Sequence, residues 1–239
     1  MKIFCCYTQA HKTLLEKYFL RSLPTGFSVT STELDIAGPG DFLSPEFLQC
    51  ISRKVDLILE SIKENPDQII IWSDIDIQFF DLRPEMLVTQ LGQHDIAFQR
   101  EGARVRDVNT GFMVCRCNRA SAAFFRKVRD GLQRIPTANE QLIVNLLLGQ
   151  EHCDVLWTYL SPRFYARSHG WPPPHDIVLY HANNTPGRNG VRRKIDQFNE
   201  LSLLRRHRVF ALLLFFPKYA FRELVRLSGK YLPMPFSRH

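Results

Sequence analysis

Short apolar segments alternate with amphipathic ones along most of the chain. The apolar segments that fit strands lie at 2–7, 27–34, 68–72, 95–99, 110–116, 155–160 and 176–181. Apolar positions three and four residues apart predict helices at 12–23, 51–64, 84–91, 120–133 and 138–148. Ser44 followed by Pro45 is typical of a helix start. Strands that alternate with helices predict an α/β fold with a mainly parallel sheet flanked by helices.

Two aspartates follow the most apolar predicted strand. Residues 68–72 indicate a strand buried on both faces in the middle of the sheet, and Asp74 and Asp76 come directly after it. His181 ends the last predicted strand, with Asn183 close behind it. Ligands of such sheets bind at the carboxyl ends of the strands. Carboxylate oxygens suit Mg²⁺ or Mn²⁺, which can bridge a diphosphate, so the pattern predicts a metal site at Asp74 and Asp76 that a histidine such as His181 can complete.

Each candidate residue also has a purely structural interpretation. Asp-x-Asp arises by chance in a chain of this composition, and a lone histidine is often structural. Residues 109–111 (Asn-Thr-Gly) open a predicted strand, where Gly111 either lets the backbone approach a ligand or is an ordinary strand entrance. Glu140, next to Gln141 at a helix start, is either catalytic or an acid favoured there by the helix dipole.

The excess positive charge divides the chain in two. Residues 1–200 carry 23 basic and 23 acidic residues, whereas residues 201–239 carry eight basic residues and the single acid Glu223. We expect a catalytic domain at 1–200 and a basic amphipathic helical tail at 201–239 that Pro217 interrupts. Such a tail favours an anionic membrane surface as partner, or a helix packed on the body with its charges in solvent. Nucleic acid is not expected, because no binding module accompanies the charge.

The location of the protein is predicted from what the sequence lacks. The longest apolar run, residues 209–216, is too short to cross a membrane, because a helical span needs about 20 residues. The six cysteines include no CxxC pair, and no secretory signal precedes them, which favours free thiols in a reducing compartment. We expect a cytoplasmic protein that can sit peripherally on the inner face of a membrane.

The order of these motifs is similar to that of a known family. The matching pieces occur in sequence over about residues 1–185. They are residues 5–8 (Cys-Cys-Tyr-Thr), Lys54, 72–76 (Trp-Ser-Asp-Ile-Asp), 109–112 (Asn-Thr-Gly-Phe), 139–141 (Asn-Glu-Gln), 160–165 (Leu-Ser-Pro-Arg-Phe-Tyr) and 181–183 (His-Ala-Asn). The set resembles the nucleotide-diphospho-sugar transferases with a DxD motif and a GT-A fold. Within them it is most similar to the retaining proteins that include plant cell-wall xylosyl- and arabinosyltransferase-like members.

The resemblance implies a role for each matching residue. Asp76 and His181 would ligate Mn²⁺ or Mg²⁺, and Asp74 would bind the metal or the ribose. The implied cofactor-binding residues are Tyr7, Thr8, Lys54, Asp74, Asn109, Thr110, Gly111 and Asn183, and the implied catalytic residues are Glu140 and Gln141. The donor would be a nucleotide-sugar, with a UDP-sugar expected, and the acceptor a glycan or a lipid-linked saccharide. Lys54 or Arg188 would add positive charge near the leaving diphosphate.

Two other functions compete with sugar transfer. A phosphatase of the haloacid dehalogenase type also places Asp-x-Asp after an apolar strand, but it needs Thr or Val where this chain has Gln78, and it usually carries the motif on its first strand. The second alternative is an inactive relative that binds a membrane surface. Because Asp74, Asp76 and His181 are all intact, the sequence favours the active enzyme.

Overall fold

A six-stranded sheet forms the centre of the fold, together with a second sheet of three strands. The computed structural model describes residues 1–38, 41, 43–102, 106–151, 153–183, 185 and 187–231, the last ten as the backbone of a helix. The strands are β1 (Lys2–Tyr7), β2 (Ser28–Glu33), β3 (Ile69–Ser73), β4 (Ile77–Phe79), β5 (Ile96–Arg100), β6 (Val108–Arg116), β7 (Trp157–Tyr159), β8 (Phe164–Ala166) and β9 (Leu179–His181). The α-helices are α1 (Lys12–Leu14), α2 (Pro45–Glu64), α3 (Pro84–Leu91), α4 (Arg119–Arg134), α5 (Glu140–Leu148), α6 (Gly190–Arg206) and α7 (Arg208–Tyr231).

The large sheet contains one reversed strand near its middle. Its strand order is β2-β1-β3-β6-β5-β7, and β6 runs antiparallel to both β3 and β5, whereas the other pairs are parallel. The predicted mainly parallel sheet flanked by helices is confirmed. Ser73, at the end of β3, pairs with Phe112 in the middle of β6, so the first half of β6 extends beyond the end of β3. The beginning of β6 therefore lies at the sheet edge where β3 ends and the two aspartates follow.

The second sheet was only partly predicted from the sequence. All seven predicted strands are present, with ends that differ from the prediction by at most three residues. β4 and β8 were missed, because each has only three residues, too few for a period-two pattern to be distinguished from chance. They pair with the two sides of β9, which ends at His181. The small sheet thus holds the predicted metal-binding histidine.

An aromatic column connects the two sheets. Phe112 of the large sheet packs against Phe79 of β4 and Phe164 of β8, with ring centroids 6.4 Å and 5.7 Å apart. Phe79 in turn makes an edge-to-face contact with Phe19 at 5.1 Å. Such pairs stabilise beyond the burial of their area. The column fixes the small sheet against the large one.

The predicted helix at 12–23 is present, but it is not a regular α-helix. The segment begins as a 3₁₀ turn at Gln9–His11, continues as α1 and becomes a π-helix at Leu15–Leu20. The wider π turn brings residues five apart onto one face. Leu14 and Phe19, five residues apart, are both fully buried as a result.

The opposite face of the large sheet is covered by α2, α4 and α5. Their apolar side chains form one core with residues of β1, β3, β5 and β6, including Val55, Ile58, Trp72, Phe98 and Phe125. Helix α2 begins where the sequence predicts: Ser44 caps it, and its Oγ accepts a hydrogen bond from the Phe47 amide at 3.2 Å. The predicted loop at 37–41 lies partly outside the described residues.

The chain divides into two compact units, Met1–Asp196 and Gln197–His239. In the second unit, Glu200 of α6 accepts hydrogen bonds from Lys218 and Tyr219 of α7. The expected interruption at Pro217 is wrong, because α7 continues through it and loses only one backbone hydrogen bond there. The basic side chains from Arg222 onward lie outside the described residues. Among the described helices, none combines the length and apolarity required to cross a membrane.

The cap of α2 gives a first test of the fold. We expect Ser44→Ala to lower the free energy of unfolding by about 1 kcal/mol, because the Phe47 amide loses its acceptor. Ser52→Ala, at an exposed position inside the same helix, should change it by less than about 0.5 kcal/mol. Urea denaturation measures both. Equal effects of the two substitutions would contradict the assigned cap.

Candidate functional site

Two adjoining cavities open at the edge where β3 ends. The larger, of about 280 Å³, is lined by residues of β6, α5 and β9. The smaller, of about 130 Å³, is lined by residues of β1 and α2. The residues common to both walls are His11, Phe47, Ile51, Asp74, Asp76 and Lys194. Asp74 and Asp76 therefore stand at the junction of the two cavities.

Asp74, Asp76 and His181 come together as predicted. Their ligand atoms all lie within 4.8 Å of one another, and Asp76 and His181 are buried. The two aspartates follow β3 of the large sheet, whereas His181 ends β9 of the small sheet. Ile77 pairs with His181 across the β4–β9 ladder, and the Ala182 amide donates to the Asp76 carbonyl at 2.8 Å. Backbone pairing thus fixes the distance between the carboxylate and the imidazole.

A buried glutamine selects the tautomer of His181. Gln99 Nε2 donates to the Phe164 carbonyl at 3.1 Å, so its Oε1 is the acceptor that faces His181 Nδ1 at 2.9 Å. His181 Nδ1 therefore carries the proton, and Nε2 presents a lone pair toward Asp76 Oδ1, 3.3 Å away. A hydrogen bond from the second ring nitrogen is the usual way in which a metal-binding histidine is oriented. A register shift in the β5–β6 ladder between Phe98 and Gln99 helps direct this glutamine.

The donor set fits a divalent cation. Asp76 Oδ1 is buried without a hydrogen-bond partner among the described residues, and the atom nearest to it in His181 is an unprotonated nitrogen. Two electron-rich atoms that face each other in a buried site are unfavourable unless a cation lies between them. Burial opposes the charged form of Asp76, but the Lys194 ammonium group favours it, and the pKa of this carboxyl lies below its ordinary value. Asp76 is therefore ionised and available as a ligand.

Gly111 leaves the space in which this cluster assembles. A Cβ atom at this position would lie 2.2 Å from His181 Cε1, 2.9 Å from Asn109 Oδ1 and 3.0 Å from Asp74 Oδ2. The backbone of Gly111 also takes part, because its carbonyl accepts from the Asp74 amide at 2.6 Å. Glycine is required here for the close approach of three side chains rather than for its backbone angles.

Lys54 is a buried cation between two carboxylates. Its Nζ lies 2.8 Å from Asp74 Oδ1 and 2.7 Å from Glu140 Oε1, and it donates to the Thr110 carbonyl at 3.3 Å. Burial alone would lower the pKa of Lys54, but Asp74 and Glu140 together raise it above its ordinary value. Thr110 Oγ1 donates to the same oxygen of Glu140 at 3.0 Å. Two contacts to its Oε1 thus hold Glu140 in the wall of the larger cavity.

A further carboxylate stands in the larger cavity. Glu101, just after β5, accepts hydrogen bonds at Oε2 from Asn109 Nδ2 and from Gln141 Nε2, the latter at 3.2 Å. Asn109 Oδ1 also accepts from the Gly111 amide at 2.8 Å. The larger cavity therefore presents a row of orientated carboxylate and amide groups, the type of surface that binds hydroxyl-rich ligands.

The smaller cavity has a mainly apolar wall with a polar end. Leu14, Leu34 and Phe47 contribute apolar surface, and Thr8 lies at the polar end. Thr8 Oγ1 hydrogen-bonds His11 Nδ1 at 2.9 Å. Tyr7 lines the mouth, where its hydroxyl donates to Glu33 at 3.0 Å. A planar apolar group with polar edges fits this shape.

All predicted site residues line one or both cavities. One of them, Asn183, uses both of its polar side-chain atoms in hydrogen bonds to Ser168. Its Oδ1 accepts from the Ser168 amide and its Nδ2 donates to Ser168 Oγ, both at 2.9 Å. Arg188 lines neither cavity.

The sequence did not single out His11, Gln99, Glu101 or Lys194. Lys194 follows two arginines in a basic segment, so nothing in the sequence distinguishes it, although its Nζ lies 2.8 Å from Asp76 Oδ2.

Comparisons with known proteins agree with this geometry. A family profile described as nucleotide-diphospho-sugar transferase matches residues 13–198. The solved structure of the glycosyltransferase GlyE from Streptococcus pneumoniae TIGR4 is similar with a TM-score of 0.57 and 13% identity, over 91% of this chain and 63% of that protein. This chain thus spans a little under two thirds of GlyE. A comparison with curated protein sequences finds no match.

Two further structures match over nearly their whole length. The galactosyltransferase LgtC, solved with donor and acceptor sugar analogs, has a TM-score of 0.50 and 12% identity, over 84% of this chain and 95% of that one. A glycosyltransferase involved in glycosylation of the major capsid of PBCV-1 has a TM-score of 0.56 and 12% identity, over 82% and 98%. The predicted GT-A fold is confirmed, whereas retaining chemistry and the plant-type subfamily stay predictions.

The space at Gly111 gives a test of the metal site. We expect Gly111→Ala to abolish Mn²⁺ binding while the protein stays folded, because the added Cβ displaces the His181 ring. Gly190→Ala is the matched control, since its Cβ would be 3.7 Å from the nearest atom in the same cavity. Electron paramagnetic resonance of free Mn²⁺ measures binding. Unchanged binding by Gly111→Ala would exclude His181 and Asp74 as joint ligands.

His11 predicts a dependence of stability on pH. Burial and, to a smaller extent, the nearby Lys194 charge lower the pKa of His11 from 6.5 to about 4. Between about pH 6.5 and 4 the unfolded chain binds a proton at His11 that the folded chain does not bind. The free energy of unfolding therefore falls as the pH drops through this range. We expect His11→Gln to reduce the stability difference between about pH 7 and pH 5 by about 2 kcal/mol, measured by urea denaturation without metal. The exposed His207→Gln should keep the full difference.

Proposed function

Because the chain belongs to the nucleotide-diphospho-sugar transferase family, we propose that it is a metal-dependent glycosyltransferase that uses a UDP-sugar. The acceptor would be a glycan or a lipid-linked saccharide. One observation carries the proposal: Asp74, Asp76 and His181 converge at the junction of two cavities, one apolar with a polar end and one lined by carboxylates and amides. This arrangement suits a ligand with a base, a diphosphate and a sugar.

The metal would be held by Asp76 and His181, with Asp74 as third ligand. Hard carboxylate oxygens beside one imidazole favour Mn²⁺ or Mg²⁺ over softer cations. When bound, the cation would act as a Lewis acid that stabilises the negative charge growing on the departing diphosphate. Gln99 would support metal binding, since its hydrogen bond with His181 Nδ1 keeps the lone pair of Nε2 directed into the site.

Lys194 would supply a second positive charge for the diphosphate. It lines both cavities, and its side chain keeps 22% of its exposure while Nζ contacts Asp76. A cation at this point attracts an anionic donor and stabilises its leaving group without proton transfer. Lys54 is less suited to this task, because it is buried and its charge is already matched by Asp74 and Glu140.

The smaller cavity would receive the nucleoside. Its apolar wall offers contact to the faces of a base, and Thr8 and Tyr7 lie at the polar end and the mouth. Asp74 stands between this cavity and the metal, where a carboxylate can accept from a ribose hydroxyl. These assignments place base, ribose and diphosphate in consecutive order along the two cavities.

The larger cavity would hold the transferred sugar and the acceptor. We assign Glu140 a positioning role, because its Oε1 is already engaged by Lys54 and Thr110. Glu101, Asn109 and Gln141 are then the groups left to bind sugar hydroxyls. No covalent intermediate is required for this arrangement. Whether the sugar is a hexose or a pentose, and the cytoplasmic location, stay predictions of the sequence.

The test is UDP binding by calorimetry with and without Mn²⁺. We expect wild-type protein to bind UDP tightly only with Mn²⁺, and Asp76→Asn to weaken that binding by at least about 100-fold, because it removes the charge that holds the metal. Asp81→Asn, a substitution at an exposed aspartate outside both cavities, should bind like the wild type.

A donor panel would then identify the sugar by metal-dependent release of UDP. Binding of UDP that ignores both Mn²⁺ and Asp76→Asn would contradict the metal assignment. Absence of any binding by the folded wild-type protein would favour the inactive relative instead. Asp81→Asn separates a specific loss from a general effect of removing one negative charge.

A further inference from the structure

Helix α7 exposes an unusual amount of apolar surface. Six of its large apolar side chains are more than half exposed: Val209 at 74%, Phe210 at 58%, Leu213 at 74%, Leu214 at 54%, Phe216 at 61% and Phe221 at 67%. Isolated exposed apolar residues are common on proteins, but a continuous patch of this kind marks an interaction site. The question is therefore what covers it.

The exposed side chains lie on one face of the helix. At about 100° per residue they span an arc of about 160°, and the exposed Pro217 ring falls inside the same arc. The opposite side is packed, because Ala211 and Tyr219 are buried and Glu200 of α6 bonds both Tyr219 and Lys218. The helix is thus anchored within its own unit by one face and leaves the other to solvent.

Positive charge is concentrated in the segment that carries this apolar face. Arg205 and Arg206 end α6 and Arg208 begins α7, one residue before the exposed Val209. Neither Arg206 nor Arg208 forms an ion pair within the part of the chain that the structure describes. The sequence from 201 to 239 holds eight basic residues and one acid, whereas the preceding 200 residues are neutral.

We propose that the exposed face of α7 docks on an anionic lipid bilayer and lies in the plane of its surface. An apolar arc on a segment rich in basic residues matches a surface whose interior is hydrocarbon and whose head groups are negative. Because no described helix is long and apolar enough to cross a membrane, we expect α7 to insert one face only. A second copy of the chain fits less well, because two copies of so basic a segment repel each other.

Flotation with vesicles tests the docking. We expect the full chain to bind vesicles of three parts phosphatidylcholine to one part phosphatidylglycerol. Binding to phosphatidylcholine alone should be weaker by about fivefold for each basic residue at the surface, as expected from the attraction of one cation to an anionic membrane. Leu213→Asp combined with Phe216→Asp should reduce binding to the anionic vesicles by about 100-fold or more.

A matched control adds the same charges elsewhere. Val88→Asp combined with Leu156→Asp replaces two exposed apolar residues outside α7, at 47% and 65% exposure, and should bind vesicles like the wild type. Circular dichroism checks that both double variants stay folded. Metal-dependent UDP binding should be the same in both, so that failure of the docking proposal is separate from failure of the proposed function.

A residue-specific probe completes the test. Leu214→Trp should show a blue shift and increased emission on anionic vesicles, because the indole enters the head-group region. Binding that is equal on neutral vesicles, or unaffected by the Leu213/Phe216 double variant, would overturn the proposal. So would a wild-type dimer by light scattering that the same variant converts to a monomer, since the face would then be a contact between copies.

Discussion

A single buried cation connects the elements that build the site. Lys54 comes from α2, Asp74 from the end of β3, Glu140 from the start of α5 and Thr110 from β6, and all of them meet at the Lys54 ammonium group. Removing one partner of such a group leaves an uncompensated buried charge, which costs several kcal/mol. The network is therefore complete only when α2, the end of β3 and the start of α5 are all in their folded positions. It also fixes Asp74 relative to the wall of the larger cavity.

The metal cluster depends on a second constraint, the attachment of the small sheet to the large one. Asp74 follows β3 of the large sheet, whereas the β4–β9 ladder of the small sheet holds Asp76 and His181 together. The column of Phe79, Phe112 and Phe164 connects those two sheets. Phe112 directly follows Gly111 in β6. The Phe112 side chain fills the space between the two sheets, whereas Gly111 leaves space for the side chains of the cluster. Packing and ligand geometry are therefore linked through two neighbouring positions.

The sequence predicted the parts of this site that follow directly from strands. Asp74, Asp76 and His181 could be found because each comes at the end of an apolar run, where parallel sheets bind ligands. The residues that support them could not be found in the same way. Gln99 points at His181 from a position next to a register shift, and Lys194 reaches Asp76 from a helix with several other basic residues. Their orientation depends on tertiary packing, which period and spacing do not encode.

The reversed direction of β6 has a consequence for how proteins of this shape can change. Glu101, where the segment leading into β6 begins, lines the larger cavity, whereas Cys117 and Asn118, which follow β6, lie at the opposite edge of the sheet. Insertions next to Glu101 would therefore change the wall of the larger cavity, whereas insertions at Cys117 and Asn118 would leave both cavities unchanged. The reversed strand thus sends its two connections to opposite edges of the sheet, and only one of those edges borders the cavities.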